Sequence, residues 1–139
     1  MIDRLRLSIT AKNQLSNLKR KTGIEHYNVI CRHALCLSLA NPSIPPAEIF
    51  NFNGGVDIDW KTFSGGNEVT YYNLLLIRLL VDLQPTDIDS VRQALARHVH
   101  RGLSYLASKT ESDLSMTLGV DIIKIRNEVF STPELIRNI

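Results

Sequence analysis

The chain opens on a strict alternation, with Leu5, Leu7 and Ile9 to one side and Arg4, Arg6 and Ser8 to the other. Period two over Asp3 to Ser8 predicts a short strand with one apolar face. The period then lengthens. With Thr10 as N-cap, Ala11, Leu15 and Leu18 recur at helical spacing until Gly23. That glycine stands where a left-handed residue ends a helix, so the first helix is predicted from about Ala11 to Lys21 or Thr22. Thr22-Gly23-Ile24 forms the turn. A second helix, about His26 to Ala40, offers Val29, Ile30, Cys31, Leu35, Leu37 and Leu39 before Asn41 and Pro42 stop it.

From Pro42 to Asn67 the turn pairs Pro45-Pro46, Gly54-Gly55 and Gly65-Gly66 surround a strand-like stretch, Val56 to Thr62. There Val56, Ile58 and Trp60 alternate with Asp57, Asp59 and Lys61. A third helix, about Glu68 to Leu83, is apolar around most of its circumference through Leu74 to Ile77 and Leu79 to Val81, the pattern of a helix buried on several sides. Gln84-Pro85 ends it. Thr86 with Asp89 caps a fourth helix, about Asp87 to Ser108, whose core face is Val91, Leu95, Val99, Leu103 and Leu106. Thr110 with Asp113 caps a fifth, and residues 121 to 139 form either a further helix or a partly ordered tail. The expected fold is mainly α: a compact helical domain with a short N-terminal strand, in strand-helix-helix order like a ribbon-helix-helix protein, and a short central β element.

Composition agrees with one domain: 139 residues, 44% hydrophobic and 22% charged. A chain of this length buries a sufficient core without a disulfide framework or a structural metal. The apolar run Leu74 to Leu83 is broken by Arg78 and Asp82 and falls well short of the roughly 20 residues of a membrane span. Asp3, Arg4 and Arg6 interrupt the N-terminus, so no secretory signal is expected. Two cysteines, Cys31 and Cys36, without a signal imply reduced thiols and a cytoplasmic location.

Charge changes the picture more. Residues 1 to 40 hold seven basic residues, Arg4, Arg6, Lys12, Lys19, Arg20, Lys21 and Arg32, against Asp3 and Glu25, a balance of +5. Residues 41 to 139 hold nine basic and twelve acidic residues, a balance of −3. A clustered cationic segment attracts polyanions, because neutralising phosphates releases condensed counterions. A plainer reading is that Lys19 to Lys21 solvate a helix end, where cations also meet the negative pole of the helix dipole.

Few residues suggest catalysis. Cys31 and Cys36 project about 140° apart on a helix, so they do not share a zinc ion with His26, His33, His98 or His100. Asp57 and Asp59 on one strand face, followed by Glu68, outline a metal-dependent nicking site, although alternating acids on a wet strand face are ordinary. No nucleophile elbow or phosphate-binding glycine loop is present. In the ribbon-helix-helix arrangement, two N-terminal strands pair across a dimer and Arg4, Arg6 and Ser8 face bases.

Several stretches also resemble one family. Ile2 to Ser8, Leu15 to Ile24 with its Leu18-Lys19-Arg20-Lys21-Thr22-Gly23 core, Tyr27 to Ala34, Trp60 to Gly66 and His98 to Leu106 are similar to the DndE family of DNA sulfur-modification proteins. The resemblance covers about residues 2 to 107, giving a DndE-like DNA-binding domain over 1–107 and a C-terminal helical extension over 108–139. It implies a non-catalytic accessory subunit, without cofactor or metal, of the bacterial system that replaces a non-bridging phosphate oxygen of DNA by sulfur. The partners it implies are double-stranded, preferentially nicked DNA, a cysteine desulfurase, an iron-sulfur protein, an ATPase and three further copies in a homotetramer. Lys19, Arg20 and Lys21 become phosphate-contact residues, joined by Lys12, Arg4, Arg6 and Arg32, and Gly23 holds the turn and helps the oligomer form. A metal-dependent nickase and an assembly scaffold are the rival functions.

Overall fold

The computed structural model describes residues 2–119. Strand β1 (Arg4–Leu7) pairs antiparallel with β2 (Val56–Asp59), Arg4 opposite Asp59 and Arg6 opposite Asp57. Leu5 and Leu7 enter the core while both arginines face outward, as the alternation predicts. The strand finds its partner within the chain. The expected pairing of two N-terminal strands across a dimer is therefore replaced by an intrachain ribbon.

The expected strand Val56 to Thr62 ends early, at Asp59, because Trp60–Ser64 is a short helix, α3. Trp60 and Phe63 are both buried and stacked at 5.5 Å. Residues three apart face opposite sides of a strand but the same side of a helix, so burying both aromatics requires the helical turn. Gly65, with φ 59°, ends it.

Helix α1 (Ile9–Thr22) starts two residues before the predicted point. Its N-cap is Ser8 rather than Thr10: the Ser8 hydroxyl accepts from the Ala11 amide at 3.1 Å. Ser8 is buried, and its own amide donates to His100 Nε2 at 3.1 Å, so it does not share the outward face of Arg4 and Arg6. Ala11, Leu15, Leu18 and Thr22 turn inward. Helix α2 (Tyr27–Ala40) buries Ile30, Cys31, Ala34, Leu35 and Ser38.

Helix α5 (Ile88–Ala107) lies across α2 and also packs on α1 and β1. All five predicted core residues, Val91, Leu95, Val99, Leu103 and Leu106, are buried. Its cap is Asp87, one residue after the expected Thr86, accepting from the Ser90 amide. A Cβ at Gly102 would overlap the Ala34 carbonyl and backbone, so this glycine sets how closely α2 and α5 approach. Two arginines then close the end of α2. Arg78 donates to the carbonyls of Leu39, Asn41 and Ser43 at 2.7–2.8 Å and pairs with Asp82 at 2.9 Å. Arg101 donates to the Ser38 hydroxyl and carbonyl at 2.8 Å. The Ser38 and Leu39 carbonyls belong to the last turn, which a helix leaves without intrahelical donors, and those of Asn41 and Ser43 follow it.

Helix α4 (Glu68–Val81) departs from expectation. Only Leu75, Arg78 and Leu79 are buried, while Val69, Ile77, Leu80 and Val81 are 58–71% exposed. Among the described residues α4 packs mainly on α3 and α5, which leaves much of its apolar circumference facing outward. Helix α6 (Glu111–Leu118) is capped by Thr110, as predicted, and adds Leu114 and Leu118 to the same core. The expected helix or tail over 121–139 lies outside the described residues.

Overpacking a tight helix crossing costs about 1–3 kcal/mol, so Gly102→Ala is expected to lower the melting temperature by about 10 °C; an unshifted thermal melt contradicts the close approach. Acid sensitivity is the second expectation. Burial, then Arg78 and Arg101, lower the His98 pKa from 6.5 to about 4 against an opposing effect of Asp82. The ring is neutral when folded and takes up a proton more readily when unfolded, so its stabilisation is complete above pH 6.5 and is lost as pH falls toward 4. About 2 kcal/mol goes by pH 5. Urea midpoints at pH 7 and pH 5 are expected to differ less in His98→Asn than in the parent; equal differences contradict the assignment.

Candidate nucleic-acid interface

Helix α1 contains no acidic residue and carries four cations, Lys12, Lys19, Arg20 and Lys21, all exposed. With Ala11, Leu15, Leu18 and Thr22 inward, a turn of about 100° per residue fixes the rest. Lys12 and Lys19 line one edge of the outward face, Arg20 points away from the core, and Lys21 lies along the opposite edge. The triplet thus spans an arc of roughly 200° rather than a single direction. Lys19 is held 5.7 Å over the Tyr27 ring, whose hydroxyl meets Ser16 at 3.1 Å. Arg20 donates to Asn17 Oδ1 at 2.7 Å. The triplet also occupies the last turn, where the helix dipole favours cations, so the plainer role operates alongside any other. Gly23, φ 72°, ends the helix and donates its amide to the Lys19 carbonyl at 3.0 Å.

Arg4 and Arg6 stand on the outer face of the ribbon, side chains half exposed. Arg4 Nη1 lies 3.2 Å and Arg6 Nε 3.5 Å from the Asp57 carboxylate, and the Arg6 guanidinium sits 4.9 Å over the Phe52 ring. Both arginines reach Asp57, and with Asp59 on the same outward face the ribbon carries two cations and two anions. Arg32 is placed differently: partly buried on α2, it donates to the Phe63 carbonyl at 2.8 Å and ties α3 to α2.

Of the acids singled out in the sequence, Asp57 and Asp59 share the outward face of β2 as expected, without a third acid among the described residues to complete a metal site. Asp57 and Asp59 are the cross-strand partners of Arg6 and Arg4, and Glu68 lies in the first turn of α4. Among the described residues no group of three His, Cys, Asp or Glu side chains is placed to hold a metal ion. Cys31 is buried, with its thiol pKa pushed up to about 12 by that burial against an opposing pull from Arg32, whereas Cys36 is exposed. Burial, then the Arg32 charge, lower the His33 pKa. No helix among the described residues is long and apolar enough to cross a membrane.

One feature has no counterpart in the sequence reading. Between β1, residues 48–52 and α5 lies a cleft of about 720 Å³, which adds Arg92 and Arg97 to the outward cations and brings Phe50 and Phe52 beside Arg4 and Arg6. Its walls come from three segments far apart in the chain, and neither Arg92 nor Arg97 belongs to a basic run.

The fold is a small helical domain in which an N-terminal strand, paired within the chain, leads into a helix-turn-helix unit with one cationic, acid-free helix. The chain belongs to the DndE family: the family model for the DNA sulphur modification protein DndE matches residues 4–113, most of its length. Its place is therefore in DNA sulfur modification, a system of several proteins. A comparison with curated proteins finds no match.

Proposed function

We propose that this protein is a DNA-binding accessory subunit of the sulfur-modification system, acting in the cytoplasm and holding double-stranded, preferentially nicked DNA by its backbone phosphates. The observation that carries this is α1 itself, fourteen residues with four exposed cations and no acid within the helix. Lys12, Lys19, Arg20 and Lys21 supply the main contacts, and Arg4 and Arg6 extend them along the ribbon. Phosphate contacts position a protein on DNA without specifying sequence, which suits a subunit that serves a catalytic partner. Arg32, bonded to the Phe63 carbonyl, acts by keeping α3 in place.

The working form in this proposal is a homotetramer assembled through the apolar face of α4. Val69, Ile77, Leu80 and Val81 are exposed apolar side chains on one side of the helix, a feature that marks interaction sites when such residues cluster. Four copies would also multiply the field of α1, since each brings the same cations to one assembly. The cysteine desulfurase, iron-sulfur protein and ATPase implied by the family resemblance are the partners beside which it would work.

Changing Lys19, Arg20 and Lys21 together to Ala is expected to weaken duplex binding equally on unrelated sequences. The slope of log affinity against log salt should fall by about 2–3 for three lost phosphate contacts. Gel retardation or anisotropy at several salt concentrations measures both, and unchanged affinity contradicts the role of α1. Light scattering tests the assembly: the parent chain is expected near 63 kDa, four times 15.7 kDa, and a variant carrying Ile77→Glu and Leu80→Glu at a lower mass. A variant that remains tetrameric removes α4 as the interface.

A further inference from the structure

The cleft between β1, residues 48–52 and α5 gathers two kinds of group in one concave place. It is walled by two aromatic rings, Phe50 and Phe52, with centroids 6.0 Å apart and planes 54° to one another. Around them stand four guanidinium groups, those of Arg4, Arg6, Arg92 and Arg97, against the carboxylates of Asp3 and Glu48. Arg4 and Arg6 share Asp57, and Arg92 pairs with Asp89 at 3.0 Å in an exposed contact. Arg97 is half-buried at the cleft wall and has no hydrogen-bond or ion-pair partner among the described residues.

The aromatic wall is held in advance. Phe50 stacks on His100 with centroids 3.9 Å apart and planes 19° from parallel. The His100 ring cannot turn freely: Nε2 accepts from the Ser8 amide, so Nδ1 carries the proton and donates to the Ala96 carbonyl at 2.6 Å. Burial lowers its pKa, in keeping with a neutral ring. The cap of α1, the middle of α5 and the cleft wall are therefore one connected arrangement.

A volume of about 720 Å³ is that of a small-molecule site, large enough for one or two nucleotide units and too small for a paired duplex. Aromatic faces alternating with guanidinium groups match the alternation of base and phosphate along an unpaired strand, where stacking gives about 1–3 kcal/mol per base. A purely acidic ligand would use the arginines and leave the rings idle.

We propose that this cleft binds an unpaired nucleotide of a DNA strand, its base stacked on the Phe50 and Phe52 wall and its phosphate held by Arg97 and Arg92. The assignment rests on the DNA-binding reading above and adds a second site, for unstacked nucleotides, that borders the duplex-facing surface at Arg4 and Arg6.

The test measures anisotropy of fluorescein-labelled hexathymidylate and of a labelled blunt duplex with the full chain and three variants. Phe52→Leu, which keeps apolar volume, and Arg97→Gln are each expected to weaken hexathymidylate about tenfold while leaving the duplex within twofold; circular dichroism melts establish that both are folded. The variant with Lys19, Arg20 and Lys21 changed to Ala is expected to lose duplex affinity and keep hexathymidylate within twofold. Parent-like hexathymidylate binding by both cleft variants overturns the proposal, as does displacement of the probe by polyglutamate as readily as by unlabelled hexathymidylate. Failure of the α1 reading looks different: the triple variant then binds duplex normally whatever the cleft variants do.

Discussion

The close crossing of α5 over α2 is the constraint on which the remaining geometry depends. Gly102 lets the α5 backbone lie against the Ala34 backbone, and no other residue fits there without displacing one helix. Arg101 locks the crossing by donating to the Ser38 hydroxyl and carbonyl near the end of α2, Arg78 ties α4 to the Leu39 carbonyl, and the Ser38 hydroxyl also meets His98 at 2.8 Å. Two residues beyond His98 on α5, His100 takes the Ser8 amide and so fixes where α1 begins. The direction in which α1 presents its cations is thus decided largely inside the core.

This arrangement divides the basic residues into two populations by their acceptors. Arg32, Arg78 and Arg101 are directed at main-chain carbonyls, where a guanidinium offers several donors to groups that would otherwise be buried without partners. Lys12, Lys19, Arg20 and Lys21 face solvent and make no ion pair among the described residues, although Lys19 shares a shallow pocket with Glu25, Asp57 and Asp59. The ribbon arginines lie between, partly neutralised by Asp57 but still half exposed. Net charge is a poor guide to the surface for this reason: what matters is how many cations are already occupied by the fold.

Much of the fold was legible because its elements are regular. The alternation at Leu5 and Leu7 and the spacing Val91, Leu95, Val99, Leu103 and Leu106 identify strand and helix faces without ambiguity. Where two residues offered the same chemistry, tertiary contacts decided: Ser8 caps α1 in place of Thr10 because His100 receives its amide, and Asp87 replaces Thr86 at the next cap. Val56 to Thr62 misled because Trp60 continues the alternation of Val56 and Ile58, whereas the deciding contact is between Trp60 and Phe63. The all-round apolarity of α4 was visible, but a linear pattern cannot say whether a neighbour exists to cover it. The family motifs are partly architectural for the same reason, since Gly65, His98, Arg101 and Gly102 all serve packing or capping. The cleft was illegible altogether, because Phe50, Phe52, Arg92 and Arg97 acquire meaning only when three distant segments meet.

The central claim is that cations on α1 meet DNA phosphates, and the salt dependence of binding by the unaltered protein tests it most directly. Affinity for one nicked duplex, measured from 50 mM to 300 mM salt, should fall along a straight line in logarithmic coordinates. Each phosphate neutralised contributes about 0.9 to the slope, so four α1 contacts in a single copy imply a slope of about −3.6 or steeper. Affinity that does not change with salt, or no measurable association at 50 mM, would contradict the account.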